Sequence, residues 1–337
     1  MFQSGFSLPR TQLGLFLRVR AVIVLLCLLS FSGPSIAQDV SFSSIQRQTN
    51  GDIQLQLIAP TGHNYRLDAS TNLQDWLPLL TFRSAASNPQ TDAGAAYAAS
   101  RLYRTVEVTN TDVLTGDHLI TDDGEVVIHP VNHASFVMRW KDLVIYNDPV
   151  GGAAAFNGLP KADLILISHS HGDHFDNSTV TAMRKTNAVI VAPAAVYASL
   201  SAANKAVCIP LANGAQTNVL GLTIAASPSY NFTSGYHPKG AGNGYVVTLG
   251  GRRIFMSGDT DNIPEIRALA NIDVAFVCMV VPYTMNLTDA VKCVRAFQPR
   301  VVYPYHYQVG GTTTDVNSFK RQVGTDLGIE VRLRKWY

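Results

Sequence analysis

The residues best suited to chemistry in this chain lie in one short stretch, 169–174, with the sequence His-Ser-His-Gly-Asp-His. Its three imidazoles and one carboxylate suit zinc and similar divalent ions. His169 and His171, two residues apart in an extended loop, can point the same way, whereas Asp173 and His174 turn towards a second position. The stretch therefore predicts a loop that offers ligands to two adjacent metal ions. A polar surface loop that is merely rich in histidine is the competing interpretation.

The residues before this stretch indicate where the loop lies in the fold. Residues 163–167 form a mostly apolar run, Asp-Leu-Ile-Leu-Ile, that is typical of a buried strand. Alternating strand and helix patterns follow the loop, which indicates an α/β architecture. Because α/β folds carry their chemistry at the carboxyl ends of strands, the histidine-rich loop occupies the expected place for an active site.

A His-x-His-x-Asp-His motif after a hydrophobic strand resembles the signature of the metallo-β-lactamase fold superfamily. The wider spacing is similar to that of its lactonase- and phosphodiesterase-type branch, which includes ascorbate-6-phosphate lactonase-like hydrolases. The resemblance covers residues 124–335 and implies a four-layered αββα sandwich. It implies two metal ions with Asp259 as the bridging ligand. The other implied ligands are, for the first metal, His169, His171 and His237 and, for the second metal, Asp173, His174 and His306.

The implied chemistry is hydrolysis by a hydroxide that bridges the two ions, without a serine or cysteine nucleophile. The resemblance assigns Asp173 the catalytic role of orienting this hydroxide and passing a proton to the leaving group. Zn²⁺ is the expected ion, with Mn²⁺ or Fe²⁺ as alternatives. A buried histidine that binds no metal stays open as an interpretation of His306.

Two further polar residues are candidates for supporting roles. The resemblance implies that Asp148, at the end of a strand, accepts a hydrogen bond from a ligating histidine and fixes its tautomer. A turn-initiating Asp-Pro pair is the alternative for Asp148. His133, in Asn-His-Ala-Ser, is interpreted either as a residue lining the cleft or as a structural histidine bonded to backbone.

Two later loops supply the candidate pocket residues. Tyr230 and Asn231 precede His237 and are predicted to shape the pocket, with packing as the alternative. Tyr283 and Met285 lie in a Tyr-Thr-Met loop that borders the active site in similar sequences. Both are therefore candidates for the substrate wall, and core packing is the alternative for Met285.

The composition is that of a globular protein, with 337 residues, 47% hydrophobic residues and a net charge of +2. Residues 1–37 contain three arginines and no acidic residue, so the remainder carries a net charge of −1. A basic surface for nucleic acid is not expected from this balance. The sequence predicts a small-molecule substrate, does not indicate membrane contact, and leaves the oligomeric state open.

Residues 1–37 are predicted to be a signal peptide for secretion or periplasmic export. Arg18 and Arg20 precede an apolar run of about a dozen residues, which is shorter than the ~20 that a spanning helix needs. Small residues at Ser35 and Ala37 predict cleavage before Gln38. Beyond this segment three cysteines remain, and their spacing settles no disulfide pairing: Cys208, Cys278 and Cys293.

The rest of the chain divides into three predicted parts. Residues 38–109 show short alternating runs between turn residues and are predicted to form a small β-sandwich-like module. The polar segment 110–124 is predicted to be a linker, and 125–337 the hydrolase domain. The predicted function is a secreted binuclear hydrolase of a small ester, lactone or phosphodiester. The alternatives are a non-catalytic envelope binding protein and a lipid phosphodiesterase at a membrane surface.

Overall fold

The computed structural model describes residues 40–110, 112–233 and 235–337, so the predicted signal peptide lies outside the described residues. The strands are β1 (Ser41–Arg47), β2 (Ile53–Ile58), β3 (Asn64–Ser70), β4 (Leu77–Arg83), β5 (Asn88–Asp92), β6 (Leu102–Val108), β7 (Gly116–Ile120), β8 (Glu125–Asn132), β9 (Ser135–Trp140), β10 (Leu143–Asn147), β11 (Ala162–Leu166), β12 (Arg184–Ala192), β13 (Cys208–Pro210), β14 (Gln216–Val219), β15 (Leu222–Ser229), β16 (Gly242–Leu249), β17 (Arg252–Met256), β18 (Val274–Cys278), β19 (Val301–Tyr305), β20 (Gln308–Val309), β21 (Thr312–Thr313) and β22 (Glu330–Val331). The helices are α1 (Asn177–Met183), α2 (Ala194–Ser199), α3 (Ala202–Lys205), α4 (Pro264–Arg267), α5 (Leu287–Phe297) and α6 (Val316–Val323), with 3-10 turns at Ala93–Tyr97 and Ala153–Phe156.

Two large sheets form the body of the protein. The first has ten strands in the order β13-β12-β11-β10-β9-β8-β7-β4-β3-β6, and the second has seven in the order β14-β15-β16-β17-β18-β19-β22. Strands β10 to β13 pair in parallel in the first sheet, and β17 to β19 and β22 do so in the second. Parallel strands end at the same edge of a sheet, so the loops after them lie near one another.

Consecutive side chains of the first sheet pack into two different cores. On β8, Val126 joins the core shared with the second sheet, whereas Val127 joins the core on the opposite face. On β11, Leu164 and Ile165 divide in the same way. Because side chains alternate across a strand, this pattern shows that the first sheet is covered on both faces.

Helices cover the outer faces of both sheets. Val180 of α1 and Val196 of α2 pack into the core on the outer face of the first sheet. Val294 of α5 and Phe319 of α6 pack into the core that contains the second sheet. The layers therefore run helix, sheet, sheet, helix, and the predicted αββα sandwich is confirmed.

Three of the six N-terminal strands continue the first sheet. Strands β1, β2 and β5 form a separate three-stranded sheet, while β3, β4 and β6 extend the ten-stranded one. The connection is the antiparallel pairing of β4 with β7, in which Leu80 lies opposite Asp117. On the other side Lys320 of α6 forms a buried ion pair with Asp52, at 2.6 Å. The residues predicted as a β-module thus share a sheet and an ion pair with the hydrolase part.

The prediction of a linker at 110–124 needs a correction, because this segment contains strand β7. The strand lacks the apolar alternation that marks a strand in a sequence, since Asp117 and His118 are its buried residues. Asp117 accepts hydrogen bonds from Tyr303 at 2.7 Å and from Arg334 at 2.8 Å. The buried carboxylate of Asp117 thus finds its partners far away in the chain, where no local sequence pattern indicates them.

None of the helices in the described ranges is long and apolar enough to cross a membrane. The three cysteines of the described part are all free thiols, so no pair among them forms a disulfide. Cys278 and Cys293 are buried in the core, as their apolar surroundings in the sequence indicate.

We expect Asp117→Ala to lower the free energy of unfolding by about 3 kcal/mol or more, because it leaves the Arg334 guanidinium without its carboxylate in a mostly buried place. Denaturant unfolding of the full chain measures this change. Asp122→Ala is the matched control, since Asp122 is 69% exposed in its ion pair with Arg252 and its loss costs at most about 1 kcal/mol. Equal effects of the two substitutions would contradict the prediction.

Candidate metal centre

The candidate site lies where several strands and loops end at one edge of the sandwich. The 169–174 loop follows β11, Asp259 follows β17, and His306 follows β19. His237 lies in the connection between β15 and β16. The loop at 169–174 is held by backbone hydrogen bonds from His174 and Phe175 to the carbonyl of His171. It runs directly into α1, which Asp176 caps.

Three histidines form the first group of the site. The Nδ1 atom of His171 lies 3.1 Å from Nε2 of His169 and 3.1 Å from Nε2 of His237. Tetrahedral zinc with Zn–N bonds of about 2.0–2.1 Å separates its nitrogen ligands by about 3.3 Å. The three nitrogens are therefore spaced as ligands of one ion.

The second group contains Asp173, His174 and His306. Oδ2 of Asp173 lies 3.6 Å from Nε2 of His306 and 3.9 Å from Nε2 of His174. Asp259 lies between the two groups. Its Oδ2 is 3.2 Å from Nε2 of His306 and 3.4 Å from Nε2 of His237, and its Oδ1 is 3.4 Å from Nε2 of His174. One carboxylate thus reaches both groups.

The donor atoms of this site fit divalent cations. Nε2 of His174, Nε2 of His306 and Oδ1 of Asp259 are buried without a hydrogen-bond partner among the described residues. Buried polar atoms without partners are costly, and a bound cation would satisfy all three. The seven predicted ligands, five imidazoles and two carboxylates, are the donor types that zinc prefers.

Outer hydrogen bonds fix how the histidines face the site. Asp148, fully buried, accepts a hydrogen bond from Nδ1 of His174 at 2.8 Å and two from Ser168 at 2.7 Å. Asn231 accepts one from Nδ1 of His237 at 2.7 Å. In each of these two rings Nδ1 carries the hydrogen and donates it away from the site. Nε2 of the same ring therefore presents its lone pair towards the centre.

Burial and neighbouring charges together set the pKa values of Asp259 and the histidines around it. Burial alone would raise the pKa of this carboxyl, but His306 and His174 hold the pKa well below its usual range. For His169 burial, together with the nearby His174, holds the pKa well below the ordinary value, so this imidazole is neutral. Burial opposes the charged form of His174 too, yet Asp259 and Asp148 raise its pKa well above normal. The carboxylates therefore favour positive charge here, as protons or as metal ions.

The predicted pocket residues differ in whether they line the cavity. A cavity of about 230 Å³ lies over the site, and Tyr283 is the pocket candidate that lines it. Met285 is 2% exposed and packs in the core, and Tyr230 packs in the same core with its hydroxyl towards Glu265, 3.1 Å away. Their assignment to the pocket is therefore corrected to core packing. Asn231 acts through His237 instead of facing the cavity.

Two residues that line the cavity were not singled out from the sequence. Tyr236 and Val309 line it together with Tyr283. The rings of Tyr236 and Tyr283 lie 4.8 Å apart in an edge-to-face pair. Tyr236 directly precedes His237, and Val309 lies three residues after His306, so adjacency to a predicted ligand is the signal that could have found them.

His133 lies beside the second group. Its Nε2 is 3.1 Å from Oδ2 of Asp173, and its ring centroid is 3.8 Å from that of His306. Its Nδ1 lies 2.9 Å from the hydroxyl of Tyr337. Neither interpretation drawn from the sequence describes this histidine, because its ring is bonded by two side chains instead of backbone and it does not line the cavity.

Comparison with known proteins shows the family of this chain. The family model described as "Beta-lactamase superfamily domain" matches residues 127–306, more than half of the chain. The chain belongs to the beta-lactamase superfamily. A UPF0173 metal-dependent hydrolase of Thermococcus onnurineus is 31% identical over 208 residues, which are 59% of this chain and 92% of that protein. One of Thermococcus kodakarensis is 32% identical over 204 residues, 58% of this chain and 90% of that protein.

Two solved structures have the same fold. A candidate metal-dependent hydrolase from Parabacteroides distasonis superposes with a TM-score of 0.60 at 35% identity, covering 67% of this chain and all of the other. Igni18, a metallo hydrolase from Ignicoccus hospitalis, gives a TM-score of 0.54 at 23% identity over 62% of this chain and 95% of that chain, which bears on the fold alone. This superfamily member is therefore a metal-dependent hydrolase of the metallo-β-lactamase fold.

We expect Asp148→Asn to weaken the affinity for Zn²⁺ by about 10- to 100-fold, because the amide lacks the charged acceptor that orients His174. Zinc titration against a competing chelator measures the affinity. Asp163→Asn serves as the control, since Asp163 lies at the opposite end of β11 and pairs with Lys185. An unchanged zinc affinity in Asp148→Asn would show that His174 needs no orienting carboxylate.

Proposed function

We propose that this hydrolase is exported and uses two divalent ions to cleave a small ester, lactone or phosphodiester. The observation that carries the proposal is the position of Asp259 between a group of three histidines and a group of one aspartate and two histidines. A carboxylate in this position could hold two dications at the separation of about 3.5–4 Å that two-metal hydrolases use. Export rests on the signal predicted at residues 1–37.

Zn²⁺ is the ion that we propose, with Mn²⁺ or Fe²⁺ as alternatives. Two such ions, when bound, lower the pKa of water towards neutrality and polarise the scissile carbonyl or phosphoryl group. In the proposal, His169, His171 and His237 hold one of them. The second is held by Asp173, His174 and His306.

The two carboxylates of the site differ in what they can do. Asp259 has a side chain that is only 3% exposed, which suits a purely ligating role. The side chain of Asp173 is 47% exposed and lines the cavity, so it reaches both the centre and an incoming substrate. The pKa of Asp173 is lowered although burial opposes this, because the ring of His133 donates a hydrogen bond to it and the rings of His306 and His174 lie close by. We propose that Asp173 orients the nucleophile and moves a proton to the leaving group.

The cavity lining supports a substrate with an apolar, uncharged body. Tyr236, Tyr283 and Val309 form its wall. The described residues that line it include no lysine or arginine, so an anionic group of a substrate would bind at the ions and not at the wall. A neutral ester or lactone body fits the wall, and the volume of about 230 Å³ suits a small molecule.

A lipid phosphodiester is the second candidate substrate. Phe232 and Val281 expose 58% and 46% of their surfaces on the two loops that carry the cavity wall, and Tyr236 exposes 45%. Apolar side chains of this kind beside a cleft could contact a membrane surface. A substrate panel distinguishes the two cases if it offers the same phosphodiester both free and in vesicles.

The proposal predicts about two metal ions per chain and a loss of activity of at least about 100-fold in Asp173→Ala, because both a ligand and a proton carrier are lost. Metal analysis of the purified chain and initial rates on lactone, aryl ester, phosphodiester and β-lactam substrates measure these quantities. Asp142→Ala, in the exposed turn between β9 and β10, is the control. A fully folded chain without metal or hydrolysis would favour the envelope binding protein instead.

The aromatic wall of the cavity predicts a separate effect on substrate binding. We expect Tyr236→Ala to raise KM for an aryl ester by about tenfold, because the lost ring contact contributes about 1.4 kcal/mol. Tyr236→Phe retains the ring against Tyr283 and leaves KM unchanged. Initial-rate kinetics measure both, and a KM that rises as much in Tyr236→Phe as in Tyr236→Ala would assign the effect to the hydroxyl group.

A further inference from the structure

We propose that Tyr337 and His133 form a hydrogen-bond relay that positions the carboxylate of Asp173 for the reaction. Both would be positioning residues, since neither lines the cavity. The inference rests on the proposed function, because it gives Asp173 the roles of ligand and proton carrier. It adds Tyr337, which lies in the segment after β22 and is not indicated by the sequence motif at 169–174.

Asp173 needs such a partner because of where it lies. Gly172 directly precedes Asp173 in the loop. The side chain of Asp173 is about half exposed, in contrast to the buried Asp259. Its contact with His133, 3.1 Å, is shorter than those with the predicted ligands His174 and His306, at 3.9 and 3.6 Å. His133 is therefore the side chain that fixes this carboxylate before an ion binds.

The direction of the hydrogen bonds follows from the acceptor at one end. An ionised carboxylate only accepts, so Nε2 of His133 carries the hydrogen that bonds Asp173. In the neutral ring Nδ1 must then accept, and the Tyr337 hydroxyl, 2.9 Å away, is the donor. The carbonyl of Gln308 competes for the same hydroxyl hydrogen but lies farther away, at 3.1 Å. Its amide N–H donates to that hydroxyl oxygen at 3.3 Å, which anchors Tyr337.

The backbone holds His133 in an unusual conformation. It lies in the turn between β8 and β9 with φ of +55°, in the left-handed region that costs a non-glycine residue about 1–2 kcal/mol. Its N–H donates to the carbonyl of Trp336 at 3.1 Å, and its carbonyl accepts from the N–H of His306 at 3.2 Å. Trp336 is fully buried. The strained turn is thus bonded to both the segment that carries Tyr337 and a predicted ligand.

A direct ligand role is the rival explanation for His133. Its ring nitrogen lies within 4.8 Å of donor atoms of Asp173, His174 and His306, so it could itself bind the second ion. In that case the hydroxyl of Tyr337 would matter little, and a glutamine in place of His133 would remove a nitrogen ligand. In the relay, Tyr337 acts only through His133, and His133→Gln keeps an N–H donor for Asp173.

The test measures zinc affinity on the full chain by titration against a competing chelator, with thermal unfolding and kcat alongside. We expect Tyr337→Phe to weaken the more weakly bound Zn²⁺ about tenfold, with the tighter ion, the thermal midpoint and KM unchanged and kcat lower. His133→Ala should weaken it further, and His133→Gln should restore most of the loss. Tyr307→Phe is the matched control, since the Tyr307 ring packs on Tyr337 at 5.0 Å and its hydroxyl forms no hydrogen bond with His133.

The combined variant decides how the two residues act. Adding Tyr337→Phe to His133→Ala should produce no further loss of zinc affinity, because the relay is already broken. Additive losses, or a Tyr337→Phe chain that binds both ions like the parent, overturn the relay alone. A parent chain that binds fewer than two Zn²⁺ ions overturns the proposed function itself. If His133→Ala does not fold, Tyr337→Phe and His133→Gln still distinguish the relay from a direct ligand role. The relay predicts weaker zinc binding in Tyr337→Phe and little loss in His133→Gln, and the ligand role predicts the reverse.

Discussion

A buried carboxylate surrounded by imidazoles governs the electrostatics of this site. Asp259 lies in the interior beside His174, His237 and His306, each with a nitrogen within 3.4 Å of one of its oxygens. An anion removed from water must be matched by positive charge, because the interior cannot solvate it. Imidazoles meet this need in two ways, since they can take up protons or present lone pairs to cations. The choice of histidine around this aspartate therefore follows from the same constraint that makes the site attractive to divalent ions.

The sandwich solves the problem of bringing these groups together at low entropic cost. Most donors follow the end of a strand, while His237 lies in the connection between β15 and β16, and the strands belong to sheets with cores on both faces. The outward hydrogen bonds of Asp148 and Asn231 then set the ring orientations. Little freedom remains to be lost when an ion binds, because backbone position and tautomer are already determined. The exposed half of the site is different, and there the side chain of Asp173 depends on His133.

The sequence predicts the convergence of the ligand candidates because both their chemistry and their order along the chain are visible. The stretch 169–174 places four candidates side by side, and the resemblance orders the others. Orientation is less visible: Tyr230 and Met285 lie on the expected loops, yet their side chains turn into the core because apolar burial there is more favourable. Contacts across long separations are not visible at all. Tyr337 lies 204 residues from His133, and Asp117 of strand β7 bonds partners 186 and 217 residues away.

The shared ten-stranded sheet has a consequence for how the molecule behaves as a whole. Strand β4 pairs with β7, so the N-terminal part does not behave as an appendage on a flexible tether. Heating should melt both parts in one cooperative step, because neither can separate without breaking main-chain pairing. A fragment that starts after β6 would present the free edge of β7 to solvent, and such an edge recruits other strands. Self-association of the shortened fragment, in place of a soluble catalytic half, is the expected result.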